Sequence, residues 1–182
     1  MNILLVGGGG REHALAWKLA QSPRLARLVA VPGSAAIARH AECVALDGHA
    51  ALADFCVRER IDLVVVGPEA PLVDGLSDVL QARGLKVFGP SRAAAALEGS
   101  KSFAKAFMQR HGIPTAAHRT FTRLDEALAY VGTLRGKFVV KASGLAAGKG
   151  VTLCDGRAAG RQALQAAMGE RVFGDAVSEV LI

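Results

Sequence analysis

Along the first ninety residues, short runs rich in apolar side chains alternate with stretches in which apolar residues recur every three or four positions. The runs at 3–6, 28–31, 44–46, 63–66 and 86–88 are each closed by glycine, proline or a polar turn, which predicts buried strands. Between them, 11–21 has helix-forming composition up to Ser22-Pro23, and 49–60 places Leu52, Phe55 and Cys56 on one helical face. Leu72, Val73, Leu76, Val79 and Leu80 trace another helix that ends at Arg83-Gly84. The segment 67–71, Gly-Pro-Glu-Ala-Pro, predicts a rigid turn. Four or five parallel strands with intervening helices fit right-handed βαβ winding, in which ligands meet the carboxyl ends of the strands. The loops 7–13, 32–36 and 67–71 are therefore expected to converge.

Beyond 89–99 the regular alternation gives way to a mixed pattern, so a division into 1–99 and 100–182 is expected. An alanine-rich helix at 93–97 is broken at Gly99. Ser100 then caps a helix that runs through Phe103 and Phe107 to His111 and stops at Gly112-Ile113-Pro114. A strand at 119–121 follows, then a helix capped by Thr122 and carrying Leu128, Val131 and Leu134. Two β-branched runs, 138–141 and 151–154, flank a glycine-rich link; 158–168 predicts a helix and 177–182 a strand.

The link between those two runs carries the most chemistry. Gly144, Gly148 and Gly150 allow backbone N–H groups to turn toward an anion, while Lys141 and Lys149 bring positive charge to either end. A P-loop is excluded, because Gly144 and Gly148 enclose only three residues and Lys149 precedes glycine rather than Ser or Thr. These residues alone leave an ordinary glycine-containing hairpin as an equal alternative. The first loop offers a helix start suited to an anion. Dinucleotide binding is argued against twice: Glu12 occupies the place of the third glycine of G-x-G-x-x-G, and the second strand ends in Pro32-Gly33 where an acidic residue would be needed. Lys101 lies in the first turn of its helix, against the dipole preference, and taken alone reads as a surface lysine. His13 favours a structural role over that of a base. Glu69 suits either a ribose hydroxyl or the start of the following helix. His111 and His118 read as surface residues, and Trp17 as packing the first helix on the sheet.

The 182 residues are 51% apolar and 21% charged, as in ordinary globular proteins. The net charge of +6 and the pI near 9.7 come from dispersed residues, and aromatics are only 5%, so no nucleic-acid surface is indicated. The three cysteines are far apart and outside any Cys-x-x-Cys pair, which indicates neither zinc nor a disulfide framework. No leader and no membrane-spanning run is seen, and a cytoplasmic protein is expected.

The stretches 9–14 (GGREHA), 66–72 (VGPEAPL), 97–101 (LEGSK), 110–116 (RHGIPTA) and 144–150 (GLAAGKG), in this order along the whole chain, resemble the phosphoribosylamine-glycine ligase family. The resemblance implies an α/β fold. An N-terminal Rossmann-like doubly wound parallel sheet, the pre-ATP-grasp domain, precedes the first, incomplete part of an ATP-grasp domain. It implies ATP-dependent ligation of glycine to 5-phosphoribosylamine through glycyl phosphate, giving glycinamide ribonucleotide, ADP and phosphate in purine biosynthesis. Gly9, Gly10 and Arg11 would face the phosphate of phosphoribosylamine, with Pro32, Gly33, Pro68 and Glu69 nearby. Lys101 and Lys141 would contact ATP, and Gly144, Gly148, Lys149 and Gly150 would close over it. The family's magnesium ligands are expected beyond residue 182, so no metal or catalytic residue is assigned here, and 182 residues alone are expected not to turn over. A monomer is expected. The chain departs from the family at Gly8 (usually Asn), at Ser34-Ala35-Ala36 (usually Asn-Ala-Gly) and at Ser143 (usually Asp). The alternatives are a non-catalytic nucleotide- or phosphate-binding module, or a different ATP-grasp carboxylate-amine ligase.

Overall fold

The apolar run at 3–6 forms the middle of a five-stranded sheet. In the computed structural model, which describes residues 1–146, 149–170 and 178–182, the chain divides into two units, Met1–Ala95 and Ala96–Ile182. The first contains β1 (Asn2–Gly7), α1 (Gly10–Ala20), β2 (Arg27–Pro32), a 3-10 turn (Ile37–Arg39), β3 (Glu42–Cys43), α2 (Gly48–Arg58), β4 (Leu63–Val66), α3 (Glu69–Val73), α4 (Leu76–Ala82) and β5 (Val87–Phe88); α5 (Arg92–Gly99) leads out of it. The strands are all parallel in the order β3-β2-β1-β4-β5. Ile3 pairs with Leu28 on one side and Leu63 on the other. Leu4 and Val6 belong to the apolar layer on one face, and Ile3 and Leu5 to the layer on the other. Burial on both faces is why β1 reads as an unbroken run rather than an alternation. Each such leucine contributes about 1.5–3 kcal/mol by leaving water.

Four local expectations are corrected. The third strand lies at Glu42–Cys43 instead of 44–46; Val44 donates its N–H to the Ala30 carbonyl at 2.9 Å and, with Leu46, packs on the core from a loop. The segment 67–71 is not all turn, because α3 starts at Glu69 with Pro71 in its first turn, where a missing N–H costs little. The single helix expected across Leu72 and Leu80 is two, separated where Gly75 takes φ +96°. Trp17 does not pack α1 on the sheet. It is 54% exposed, while Glu12 and Ala16 form the buried side of that helix, and the small Ala16 lets the two surfaces approach. Trp17→Gln should therefore change the melting free energy by no more than about 0.5 kcal/mol, as thermal denaturation would show.

The second unit holds α6 (Lys101–Arg110), β6 (Thr120–Phe121), α7 (Leu124–Thr133), β7 (Phe138–Ala142), β8 (Val151–Cys154), α8 (Arg157–Leu164) with a π turn after it (Gln165–Gly169), and β9 (Val180–Leu181). Its strands pair antiparallel in the order β6-β9-β7-β8. The helices α7 and α8 cover the sheet through Ala127, Val131 and Leu164 against Val140 and Cys154. Ser100 caps α6 as expected, its Oγ accepting the Phe103 N–H at 3.2 Å. Thr122 does not cap α7; Arg123 holds that position without a side-chain cap. Of the strand expected at 177–182, residue 177 lies outside the described residues. The His111 ring packs against Phe107 at a 42° tilt, with centroids 4.4 Å apart. Cys56 and Cys154 are buried, and burial pushes the Cys56 thiol up to about 11. Among the described residues no helix is long and apolar enough to cross a membrane.

Candidate functional site

Strand order reverses at β1, which is flanked by β2 and β4, and the loops leaving these three strands meet at their carboxyl ends. A side chain on Gly8 would put its Cβ 2.5 Å from the Gly33 carbonyl oxygen, so the β1 and β2 loops touch there. Gly33 takes φ +72° and lies so close to the Cys43 thiol that no Cβ would fit. Glu12 folds back beneath the first loop, where its Oε2 accepts the Gly9 N–H at 2.7 Å. That donor is thus engaged inside the protein, whereas Gly10, at the start of α1, faces open space. The Arg11 guanidinium reaches over the β4 loop to Glu69 at 2.9 Å. Gly9, Gly33 and Pro68 thus lie on the loops leaving β1, β2 and β4, with Pro32 at the end of β2 and Gly10, Arg11 and Glu69 at the starts of the helices those loops lead into. His13 stacks against His40 at 5.5 Å, in keeping with a structural role.

The Glu69 carboxyl is held below the usual glutamate range, first by its own backbone N–H and then by Arg11. A depressed carboxyl stabilises the fold above the ordinary glutamate range, and that contribution is lost as pH falls through the folded value. Both partners are well exposed, so the pair is worth at most about 1 kcal/mol. Glu69→Gln should accordingly cost that little near neutrality and progressively less as pH falls through the folded value, and a Tm series from neutral into acid would check it.

The second unit gathers lysines at the base of its hairpin. The Lys101 Nζ donates to the Gly144 carbonyl at 3.0 Å and the Ser143 carbonyl at 3.5 Å, and the Lys101 N–H donates to the Ser143 carbonyl at 2.8 Å. Burial, and then the charge of Lys141, press the Lys101 ammonium below the usual lysine range, with Glu98 opposing. Two cations are thus held within electrostatic reach of one another, an arrangement that a polyanion would relieve. On β7, Lys141 also lines a cavity of about 310 Å³ together with Lys105, His118, Phe138, Leu181 and Ile182. Lys105 was missed in the sequence, although its place four residues after Lys101 sets both on one side of α6. It is anchored by Thr115 Oγ1 at 2.7 Å and the Ala116 carbonyl at 2.9 Å. His118 is a cavity-lining residue rather than only a surface one.

Ser143 is 3% exposed and accepts the Ser102 N–H at 3.1 Å, with the Ser100 and Ser102 hydroxyls at 3.3 and 2.9 Å. Ser102 in turn donates to the Glu179 carboxylate. This hydroxyl network ties the start of α6 to the base of the hairpin. Gly150 is buried against Ala146 and Ala142, its carbonyl accepting the Ala142 N–H at 2.8 Å, and Lys149 is exposed. Gly148, expected to cover a nucleotide, lies outside the described residues. No three His, Cys, Asp or Glu among the described residues come together to hold a metal ion.

Residues 1–98 match the family model for the phosphoribosylglycinamide synthetase N domain, and 99–182 that for its ATP-grasp (A) domain. The chain is 54% identical over 184 residues to a phosphoribosylamine–glycine ligase of Mesorhizobium japonicum and 50% identical over 186 residues to one of Pseudomonas aeruginosa. All of this chain is covered in both matches, but only 43% of each relative. A crystal structure of the Thermotoga maritima phosphoribosylamine–glycine ligase superposes with a TM-score of 0.80 at 28% identity, covering 100% of this chain and 43% of that one. An ADP complex of N5-carboxyaminoimidazole synthetase from Staphylococcus aureus shares the fold, with a TM-score of 0.73 at 18% identity over 99% of this chain and 46% of that one. With both domain models matched end to end over a doubly wound sheet and a lysine-bearing hairpin, the chain belongs to the phosphoribosylglycinamide synthetase family.

Proposed function

We propose that the chain supplies the amine-substrate site and the first part of the ATP site of a ligase that joins glycine to 5-phosphoribosylamine through glycyl phosphate. The observation that carries the ATP side is the pair Lys101 and Lys141 beside the hairpin, with the Lys101 ammonium already held by two hairpin carbonyls. In this reading Lys101 and Lys141 neutralise charge on the transferring phosphoryl group. Gly144, Lys149 and Gly150 shape the cover, and the cavity beside Lys105 and His118 receives an uncharged part of the nucleotide. Catalysis of this type rests on positioning and charge compensation, which lysines and backbone N–H donors supply. The phosphate-binding chemistry these residues supply is lysine charge and backbone N–H groups.

In the first unit, the N-terminal end of α1 with Gly10 and Arg11 receives the phosphate of phosphoribosylamine, and Pro32, Gly33, Pro68 and Glu69 border the sugar. The test is calorimetric titration of the 182-residue chain with ATP and, separately, with ribose 5-phosphate. Binding of both, with loss of the first alone on Lys141→Ala and of the second alone on Arg11→Ala, is the expected outcome. A chain that takes up neither ligand would refute the assignment. In a ligase of the relatives' full length carrying this segment, ADP release should require glycine and phosphoribosylamine together. Release driven by another carboxylate would point to a different ATP-grasp reaction.

A further inference from the structure

The glycines ending β1 and β4 surround one carboxyl group. A Cβ on Gly7 would lie 2.6 Å from the Glu12 Cγ, one on Gly9 2.8 Å from Oε2, and one on Gly67 2.4 Å from Oε1. Glu12 itself is only 4% exposed, and its Oε1 has no hydrogen-bond partner among the described residues. Gly7 takes φ +120°, so its backbone conformation already favours glycine whatever the space around it. Gly9 is different, since its φ of −83° and ψ of −174° suit any residue. Gly67 likewise is not among the residues of positive φ. Backbone conformation therefore does not require glycine at 9 or 67, and Glu12 occupies the space a side chain would need.

We propose that Glu12 is a positioning residue that joins the β1 and β4 loops into one ligand-ready surface, and that Gly9 and Gly67 are glycine to admit its carboxyl rather than a ligand. The Glu12 side chain returns from the first turn of α1 and takes the Gly9 N–H, half of a capping box. It simultaneously fills the slot beneath Gly67, the residue that carries the chain to Pro68 and Glu69. Because the Gly9 N–H is engaged inward, an incoming phosphate is directed past it to the open side at Gly10. A loop fixed before the ligand arrives loses less freedom on binding, which is how a buried group that never touches the ligand governs its affinity. The identity of the ligand rests on the function proposed above; the coupling between Glu12 and the glycines does not.

Two measurements on the 182-residue chain test this. In thermal unfolding, Gly67→Ala should lower Tm by about 4–8 °C, the shift that a destabilisation of about 1 kcal/mol gives in a domain of this size. In a Glu12→Ala background the same Gly67→Ala change should lower Tm by less than about 2 °C, the non-additivity expected of residues in contact. An equal Tm loss in both backgrounds would overturn the assignment. In titrations with ribose 5-phosphate, Glu12→Ala should weaken binding by about tenfold or more, a loss equivalent to about 1.4 kcal/mol. Glu12→Gln, whose amide oxygen still accepts from Gly9, should restore most of it. Glu12→Ala binding like the unaltered chain, or Glu12→Gln binding as poorly as Glu12→Ala, would count against positioning. If the unaltered chain takes no ribose 5-phosphate, the ligand assigned under the proposed function fails, and the melting cycle alone decides the role of Glu12.

Discussion

Lys101→Met is expected to weaken ATP binding by about 10–100-fold while changing the stability of the second unit little. The loss follows from removing a cation whose hydrogen bonds to phosphate are charge-assisted, each worth about 1.5–3 kcal/mol. The small stability change follows from offsetting effects: methionine loses the hydrogen bonds to the Gly144 and Ser143 carbonyls but escapes the burial and the Lys141 charge that oppose the cation in the ligand-free protein. A lysine whose folded pKa is lowered binds its proton more weakly in the fold than in the unfolded chain. Stability therefore rises as pH climbs from the folded value to the ordinary lysine value, and Lys101→Met should abolish that rise. Calorimetric titration with ATP and Tm against pH between 7 and 10 measure the two effects. Unchanged ATP affinity would remove Lys101 from the proposed site, and a large fall in Tm would make it a structural residue instead.

Leu4→Ala should cost about 3–5 kcal/mol, the upper part of the range for a leucine cut back in a core that cannot collapse. Leu4 is fully buried in the central strand, paired with Val29 on one side and Val64 on the other. Hydrogen bonding on both edges prevents β1 from shifting to fill the gap. Chemical denaturation should show the midpoint of the first unit falling with its m-value unchanged. A cost below about 1 kcal/mol would mean that the layers on either side of this sheet pack less tightly than their burial implies.

Most of the architecture was legible because the two hydrophobic periods are clean where burial is strong. The runs at 3–6 and 63–66 are strands with both faces covered, and Ser100 marked its helix correctly through a side-chain cap. Expectations failed where local signals compete. The apolar positions from Leu72 to Leu80 carry a helical period straight across Gly75, and the period does not show that this glycine adopts a left-handed conformation. Trp17 has the size of a core residue, yet the sheet-facing side of α1 is set by Ala16, whose smallness is what close packing required. At the sites, Lys101, Lys141 and the glycine loops were identifiable as residue types whose chemistry suits phosphate. Lys105, Ser102 and Glu179 were not, since a lysine or serine on a helix face carries no mark of what it meets in space. Glu12 was noticed only as a misfit to a dinucleotide pattern; the structure gives it a place of its own.

The contact between Gly8 and the Gly33 carbonyl couples the loops that leave β1 and β2. With no room for a Cβ at position 8, an asparagine there demands that the backbone after β2 take another path. Position 8 and the turn that opens at Gly33 are thus linked sterically. Gly8→Asn alone is expected to lower the Tm of the first unit, and a change in that turn that withdraws the Gly33 carbonyl should restore it, a case of epistasis between loops that sequence distance conceals.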